Sequence, residues 1–210
     1  MTDQDKKWDF DRYDWLDRYD QEIWKHQYMH YDETLSRIIE KSSVRDSDVI
    51  LDIGTGTGNL AIKFLEKGCE VIGLDPSARM LEMAESKAEK WQGKYKTYLC
   101  ENPFVGIPFP GQTFDTIVAT FSIHHVNDDE KRLSVMEMKR VSKTDGQIII
   151  GDFMFKDQAD KLRALAEYDD MEEEYHPMLD TFPTMFKDEG FRVEIEQVGD
   201  IVYIVHASLE

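Results

Sequence analysis

The feature that most constrains this fold is a glycine-rich segment between a strand pattern and a helix pattern. The run "DVILDIG", residues 48–54, is apolar and rich in β-branched residues, as expected of a buried strand. Glycines occupy positions 54, 56 and 58, and "NLAIKFLEKG", residues 59–68, then has helical periodicity that Gly68 can end. Such a strand–loop–helix segment is predicted to bring its backbone close to a ligand.

The alternation of strand and helix patterns continues along the chain. Four more strands are predicted from the sequence, namely "EVIGLD", "YKTYLC", "FDTIVATFSI" and "QIIIGDFMF". The helices predicted around them are "TLSRIIEKS", "SARMLEMAESKAEKW" with Ser77 as N-cap, and "DDEKRLSVMEMKRVSK". Strands that alternate with helices predict a mostly parallel sheet with helices on both of its faces.

The last part of the chain has a different pattern. "FRVEIEQV" and "IVYIVHAS" are predicted strands joined by a two-residue turn at Gly199-Asp200, and so tight a connection requires antiparallel pairing. Between the fifth strand and this hairpin, residues 157–188 are acidic and predicted to be helical, with a break at His176-Pro177. We predict a single α/β domain over residues 1–210, with residues 1–40 as an N-terminal helical cap and residues 157–188 as a helical cover.

The N-terminal cap is rich in aromatic residues. They recur every few positions and predict one or two amphipathic helices. The residues concerned are Trp8, Tyr13, Trp15, Tyr19, Trp24, Tyr28 and Tyr31. Their side chains could pack the helices onto the domain, or some of them could line a pocket.

Charge and cysteine usage exclude some classes of function. The net charge of −18 argues against nucleic acid as a partner, because binding to nucleic acid depends on Lys and Arg neutralising phosphates. Cys69 and Cys100 have no metal-ligand spacing, so we expect buried free thiols, a reducing cytoplasm and no metal site. We expect no membrane association, because the sequence has neither a long apolar run nor a signal-peptide pattern at its N-terminus. The size suggests a monomer or a homodimer.

An acidic residue narrows the choice of ligand for the glycine loop. Asp75 ends the second strand 21 residues after Gly54, where its carboxylate could accept hydrogen bonds from both hydroxyls of a ribose. The glycines follow the pattern GxGxG, and Asn59 occupies the third-glycine position of a dinucleotide loop; no Walker lysine follows. A ligand with an adenosine but no phosphate fits this loop best. The alternative is a tight turn with Asp75 as a helix cap.

The segments "VILDIGTGTGNLAIKFLEKGCEVIGLDPSARMLEMA" and "FDTIVATFSIHHVNDDEKRLSVMEMKRVSKTDGQIIIGDF" resemble the class I S-adenosylmethionine-dependent methyltransferases. The resemblance covers about residues 10–206. It implies a Rossmann-like, seven-stranded, mostly parallel sheet with an antiparallel C-terminal hairpin. Three further segments, "WLDRYDQ", "SIHHVNDDEKR" and "EYHPMLDTFPTMFKDEGF", are similar to the small bacterial methyltransferases of the YrrT type.

The resemblance implies which residues bind S-adenosylmethionine and its product S-adenosylhomocysteine. It places the first loop under the methionine part, the acid of the second strand on the ribose, the next residues on the adenine and Tyr19 of the "YD" pair over the methionine end. The adenine amino group would be held by Glu101 or Asn102, with the choice left open. The complete set is Tyr19, Asp52, Gly54, Thr55, Gly56, Gly58, Asp75, Pro76, Met80, Glu101, Asn102 and Thr120.

Candidate catalytic residues lie at the predicted carboxyl ends of strands four and five, where ligands bind in open α/β sheets. They are His124, His125 and Asp152, and a histidine can act as a base near neutral pH. Structural alternatives are a histidine bonded to backbone or capping the next helix, and Asp152 bonded to loop amides. His176 lies in the cover, where a role in the loop is the simpler interpretation.

The leading hypothesis is an enzyme that methylates a small-molecule acceptor. A methyltransferase acting on RNA or protein is an alternative, although the acidity of the chain argues against RNA. A non-catalytic module that binds S-adenosylmethionine is a second alternative. An NAD-dependent oxidoreductase is disfavoured by the glycine spacing.

Overall fold

A computed structural model describes residues 16–23, 25–168, 171 and 174–209. Its centre is a seven-stranded sheet with the strand order β3-β2-β1-β4-β5-β7-β6. The strands are β1 (Val49–Ile53), β2 (Glu70–Asp75), β3 (Tyr95–Leu99), β4 (Phe114–Thr120), β5 (Ser142–Phe153), β6 (Phe191–Gln197) and β7 (Val202–Leu209).

The pairing of the strands confirms the predicted Rossmann-like arrangement. Strands β1 to β5 pair in parallel, whereas β7 pairs antiparallel with both β5 and β6. The prediction of a two-residue turn in the hairpin is wrong, because four residues separate β6 from β7. Gly199 and Val198 both donate their amides to the carbonyl of Val202, which closes this longer loop.

Seven α-helices are described around the sheet. They are α1 (Tyr19–Ile23), α2 (Tyr31–Ser42), α3 (Asn59–Glu66), α4 (Ala78–Lys87), α5 (Asp128–Val141), α6 (Gln158–Glu167) and α7 (Phe182–Asp188). The Ser77 side chain accepts a hydrogen bond from the amide of Met80, which confirms Ser77 as the N-cap of α4. Such a cap contributes about 1 kcal/mol to helix stability.

Alternation along the strands builds a core on each face of the sheet. On β1, Leu51 and Ile53 point to the face that α5 and α7 cover, whereas Ile50 points to the face that α2 and α3 cover. All three side chains are fully buried. Burial on both faces explains why this strand is continuously apolar until Asp52.

Several sequence boundaries need correction. The fourth strand ends at Thr120, and residues 123–125 form a 3-10 turn instead of continuing the strand. Among the described residues, the cover between β5 and β6 is helical only in α6 and α7, and the predicted break at His176-Pro177 lies within residues 174–181, which are not helical. Cys69 is buried as expected, but Cys100 is partly exposed.

Some predictions fall on residues that the structure does not describe. Trp8, Tyr13, Trp15 and Trp24 of the predicted cap lie outside the described residues. Within the described part of the chain, no helix has the length and apolarity required to cross a membrane.

Candidate active site

The residues predicted to act on a ligand lie at the carboxyl ends of β1, β2, β4 and β5, and after β3. Parallel pairing brings these ends to one edge of the sheet, since Asp52 of β1 is level with Gly73 of β2 and Val118 of β4. Thr120, the last residue of β4, is level with Gly151 of β5. Edges of this kind are where ligands bind in open α/β sheets.

The glycine loop has a backbone shape that requires glycine. Gly54 and Gly56 have φ angles of +70° and +53°, in the left-handed region. A Cβ atom on Gly54 would lie 2.5 Å from the Cβ of Ser122, so this glycine also allows β1 to lie against the turn after β4. A Cβ atom on Gly56 would meet none of the described residues within 4 Å, so the described part of the chain leaves the space beside this glycine open.

Two carboxylates flank the loop. The Asp52 side chain is buried and accepts a hydrogen bond of 2.8 Å from the hydroxyl of Thr55. Asp75 accepts a hydrogen bond of 2.8 Å from the amide of Gly56 and one of 2.9 Å from the amide of Ser77. Asp75 therefore holds backbone amides of the glycine loop and of the α4 cap, and its contact with the hydroxyls of a ribose stays a prediction.

The protonation of Asp52 is sensitive to its surroundings. Burial, opposed by the Thr55 hydrogen bond and assisted by the nearby charge of Asp75, raises the pKa of Asp52 from 3.8 to about 7. A positive charge placed beside this carboxyl would favour its ionised form. A cation bound beside Asp52 would therefore promote loss of its proton.

The first described helix lies against the glycine loop. Asp20 of α1 accepts hydrogen bonds of 2.6 Å from the hydroxyl of Thr57 and 3.0 Å from the amide nitrogen of Asn59. Lys87 of α4 forms an ion pair with Asp20 and also donates to the side-chain oxygen of Asn59. Asn59 therefore connects the cap to the loop, which is a role that glycine at this position could not take.

Tyr19, the neighbour of Asp20, lies near the same carboxylates. Burial, followed by the charges of Tyr31, Asp75 and Asp20, holds the pKa of the Tyr19 hydroxyl well above its ordinary value. The Tyr19 side chain is therefore a neutral phenol. The predicted position of Tyr19 over the methionine end of the cofactor stays a prediction.

The three candidate catalytic residues come together beside the loop. Nδ1 of the buried His124 lies 2.6 Å from a carboxylate oxygen of Asp152, and the rings of His124 and His125 have centroids 4.2 Å apart. The other oxygen of Asp152 accepts from the amides of Ser122 and Ile123. Because Asp152 accepts these backbone hydrogen bonds as a carboxylate, Nδ1 of His124 is the donor to it.

A fourth member of this group, Glu174, was not predicted from the sequence. Its two oxygens lie 3.1 Å from Nε2 of His124 and 2.9 Å from Nδ1 of His125. We call His124, His125, Asp152 and Glu174 the histidine–carboxylate cluster. The "EEEYH" run around Glu174 contains three glutamates, and nothing in the sequence distinguishes the one that reaches the histidines.

The alternatives considered for the two histidines do not describe their contacts. A hydrogen bond to backbone or a helix-capping role does not account for the position of either ring, because each ring contacts a carboxylate: His124 contacts Asp152 and His125 contacts Glu174. The Asn127 side chain, not a histidine, caps α5. For Asp152 the proposed bonding to loop amides is present, together with the bond to His124.

Burial and neighbouring charges move the pKa values of the cluster in opposite directions. Burial alone lowers the pKa of His124, but the charge and hydrogen bond of Asp152 outweigh it and hold that pKa above its ordinary value. Burial and the charge of His124 lower the pKa of His125. Burial raises the pKa of Glu174, yet the hydrogen bond from His125 and the charge of His124 bring it below its ordinary value.

His176 is buried beside the cluster and not in an exposed loop. Its ring centroid lies 5.6 Å from that of His124 and 5.4 Å from that of Phe155. Phe153 and Phe121, whose centroids are 5.1 Å apart, continue this packing toward the cap. The histidine–carboxylate cluster is thus bordered by aromatic rings.

The remaining predicted contacts are distributed along the same edge. Met80 is buried in the first turn of α4, and Pro76 precedes the cap of that helix. Glu101 is exposed, whereas Asn102 accepts from the amide of Phe104 and donates to Glu130. Both stay candidates for the adenine contact.

Comparison with known proteins identifies the family. A family model described as a methyltransferase domain matches residues 50–146. The uncharacterized methyltransferase YrrT of Bacillus subtilis is 33% identical over 209 residues, which cover 92% of this chain and 94% of YrrT. The uncharacterized methyltransferase OB1106 of Oceanobacillus iheyensis is 31% identical, with coverage of 93% and 94%.

Solved structures agree with this fold. The YcgJ protein of Bacillus subtilis has a TM-score of 0.66 at 26% identity, and the match covers 80% of this chain and 71% of YcgJ. A SAM-dependent methyltransferase from Aquifex aeolicus matches over 100% of both chains with a TM-score of 0.64, and at 20% identity this likeness concerns the fold. The sequence relatives, the shared fold and the glycine loop closed by Asp75 show that this chain belongs to the family of S-adenosylmethionine-dependent methyltransferases that includes YrrT.

Proposed function

We propose that the chain transfers a methyl group from S-adenosylmethionine to a small-molecule acceptor, with the histidine–carboxylate cluster taking the proton that the acceptor loses. The observation that carries this proposal is the buried His124–Asp152 pair beside the glycine loop. Ser122, two residues before His124, donates its hydroxyl to the carbonyl of Ile53, the residue that precedes the loop. The loop and the cluster are therefore held together by one short segment.

The residues of the loop fit the cofactor on their own geometry. No described residue fills the space beside Gly56, and a carboxylate such as that of Asp75 can accept several hydrogen bonds at once. The hydroxyl oxygen of Thr120 is buried and has no hydrogen-bond partner among the described residues, as expected of a group that contacts a ligand. Asp52 would lie near the positive charges of the methionine part.

The bound cofactor supplies a methyl group on a sulfonium centre that is already activated for displacement. The protein must then align the acceptor and accept its proton. Asp152 orients His124 through Nδ1, and Glu174 connects Nε2 of His124 to His125. These four groups form one connected network in which a proton from the acceptor can be held.

The surroundings of the cluster support a small acceptor. Tyr28 stacks on Tyr168 with ring centroids 4.5 Å apart and lies 6.0 Å from Phe153. A site bordered by aromatic side chains suits a compact, partly apolar molecule better than a polymer chain. The charge of −18 further disfavours RNA.

The proposal is tested by measuring release of S-adenosylhomocysteine with pools of small thiols, amines, phenols and hydroxy acids. We expect turnover with at least one pool and a loss of about 100-fold or more in kcat for His124→Gln, since general-base catalysis contributes about 10²–10⁴-fold. Binding of S-adenosylmethionine should remain, and Asp145→Asn, an exposed carboxylate at the opposite end of β5, is the matched control.

Two outcomes would contradict the proposal. If RNA or protein pools are methylated and no small molecule is turned over, the acceptor is a macromolecule and not a small molecule. If His124→Gln and His125→Gln both keep full activity on the acceptor, the histidine–carboxylate cluster takes no part in the reaction.

A further inference from the structure

We infer that His124, His125 and Glu174 form a binding site for one divalent transition-metal ion. The spacing of the cysteines led us to expect no metal site. The site inferred here uses two histidines and a carboxylate as donors, which cysteine spacing does not report on. Each of the three residues offers a donor atom, and the three atoms lie within 4.8 Å of one another. The inference deepens the proposed function and rests on it for the ion's role in the reaction, although binding of the ion can be tested separately.

The distances between the side chains are close to those that a metal ion requires. Metal–nitrogen and metal–oxygen bonds of about 2.0–2.2 Å place neighbouring donor atoms about 3.0–3.5 Å apart. Oxygens of Glu174 already lie 3.1 Å from Nε2 of His124 and 2.9 Å from Nδ1 of His125. Small rotations of these side chains would therefore admit an ion among them.

Asp152 gives the site its second layer of contacts. It binds Nδ1 of His124, which leaves Nε2 directed toward Glu174. A carboxylate behind a histidine is the arrangement that fixes the tautomer and the orientation of histidine ligands in metal sites. The amides of Ser122 and Ile123 in turn hold Asp152, so the orientation of His124 is set before any ion binds.

The position of Glu174 is also fixed by the fold. Its backbone carbonyl accepts a hydrogen bond of 2.6 Å from Lys161 of α6. The buried Lys131 of α5 donates to the carbonyls of Val126 and Tyr175. The segment that carries Glu174 is therefore tied to both helices, and both lysine ammonium groups are bound to backbone oxygen and not to the Glu174 carboxylate.

The donor set indicates which ions would bind. Imidazole nitrogens suit zinc, iron, nickel and copper, whereas calcium and magnesium prefer sites made only of oxygen. The carboxylates of Asp152 and Glu174 supply two negative charges, which balance a divalent ion when both histidines are neutral. Lys131 and His176 also act on the cluster through their charges, which oppose the positive charge of a bound ion.

Three protein ligands leave coordination positions open, as in catalytic zinc sites. An oxygen, nitrogen or sulfur atom of the acceptor could occupy one of them. The ion would then lower the pKa of the acceptor and place its donor atom beside the loop that holds the methyl donor. Acceptors with two adjacent donor atoms, such as hydroxy acids or aminothiols, would be favoured.

The test uses full-length protein without an affinity tag, treated with a chelator and titrated calorimetrically with Zn²⁺, and with Co²⁺ monitored by absorption. We expect one ion per chain. Glu174→Gln and His125→Ala should weaken binding at least about 10-fold, and Asp152→Asn should weaken it about 10–100-fold although it removes no ligand. Glu189→Gln, a carboxylate paired with Lys139 away from the cluster, should bind Zn²⁺ as the wild type does.

Absence of stoichiometric Zn²⁺ and Co²⁺ binding, or equal affinity in the wild type and Glu174→Gln, would overturn the inference. Affinity for S-adenosylmethionine is measured on the same samples. If the protein binds S-adenosylmethionine but no metal ion, the metal site is rejected and the proposed function is not affected. If the protein binds the metal ion but no S-adenosylmethionine, the proposed function is rejected and the metal site is not affected.

Discussion

At the scale of single residues, the glycine loop lies next to a carboxyl group with a raised pKa, that of Asp52. No described residue fills the space beside Gly56, and burial raises the pKa of Asp52 to about 7. In the unfolded chain the same carboxyl has an ordinary pKa of 3.8, so the unfolded chain ionises first as pH rises. Its contribution to stability therefore falls between about pH 4 and 7 and is constant above that range.

Binding of S-adenosylmethionine should depend on pH through Asp52. The cationic cofactor favours the ionised carboxyl, so below pH 7 binding must release a proton and is weaker. We expect the affinity to rise between pH 6 and 8, by at most about 10-fold per pH unit for one linked proton, and then to level off. Calorimetry at several pH values, in buffers of different ionisation enthalpy, measures both the affinity and the proton released.

Asp52→Asn serves as the control for this pH dependence. It should flatten the profile and abolish proton release below pH 7. A wild-type affinity that is independent of pH, or the same pH dependence in Asp52→Asn, would contradict the assignment.

At the scale of elements, helix α1 is attached to the glycine loop by a small set of polar contacts. Asp20 contacts Thr57, Asn59 and Lys87, which belong to the loop, α3 and α4. The Asp20 and Lys87 side chains are both partly exposed, so the ion pair contributes only about 0–1 kcal/mol to stability. Contacts this weak can hold a cap closed and still let it open for cofactor exchange.

Replacing Asp20 by Asn should therefore speed release of the product more than it destabilises the fold. We expect S-adenosylhomocysteine to dissociate a few times faster, with little change in Tm, because the ion pair is lost while the shape of the side chain is kept. Stopped-flow displacement measures the rate. Glu22→Gln on the same helix removes only an exposed pair with Lys25 and should leave the rate unchanged. An unchanged rate in Asp20→Asn would show that α1 does not control release.

At the scale of the whole molecule, the fold follows from local sequence signals that agree with one another. Continuous apolar strands such as β1 require cover on both faces, and the helix patterns between them provide it. The glycine loop and Asp75 could be placed at the same edge of the sheet from the sequence because parallel strands bring their carboxyl ends together. His124, His125 and Asp152 were placed at one edge of the sheet for the same reason.

The contacts that could not be predicted depend on how loops and the cap pack. Glu174 lies in a non-helical segment 49 residues from His125, and no periodicity relates the two. Asn59 was recognised as a departure from a dinucleotide loop, but its contact with Asp20 depends on where α1 lies. The length of the β6–β7 connection was missed because Gly199-Asp200 alone is typical of a two-residue turn.

The central claim is that the glycine loop and Asp75 together bind S-adenosylmethionine. Isothermal titration calorimetry of the wild type, Asp75→Ala and the control Asp145→Asn tests it most directly. Hydrogen bonds to charged groups contribute about 1.5–3 kcal/mol each, so Asp75→Ala should lose at least about 10-fold in affinity while Asp145→Asn keeps it. Circular dichroism of Asp75→Ala should confirm that it is folded. No binding to the wild type, or equal affinity in folded Asp75→Ala, would contradict the claim.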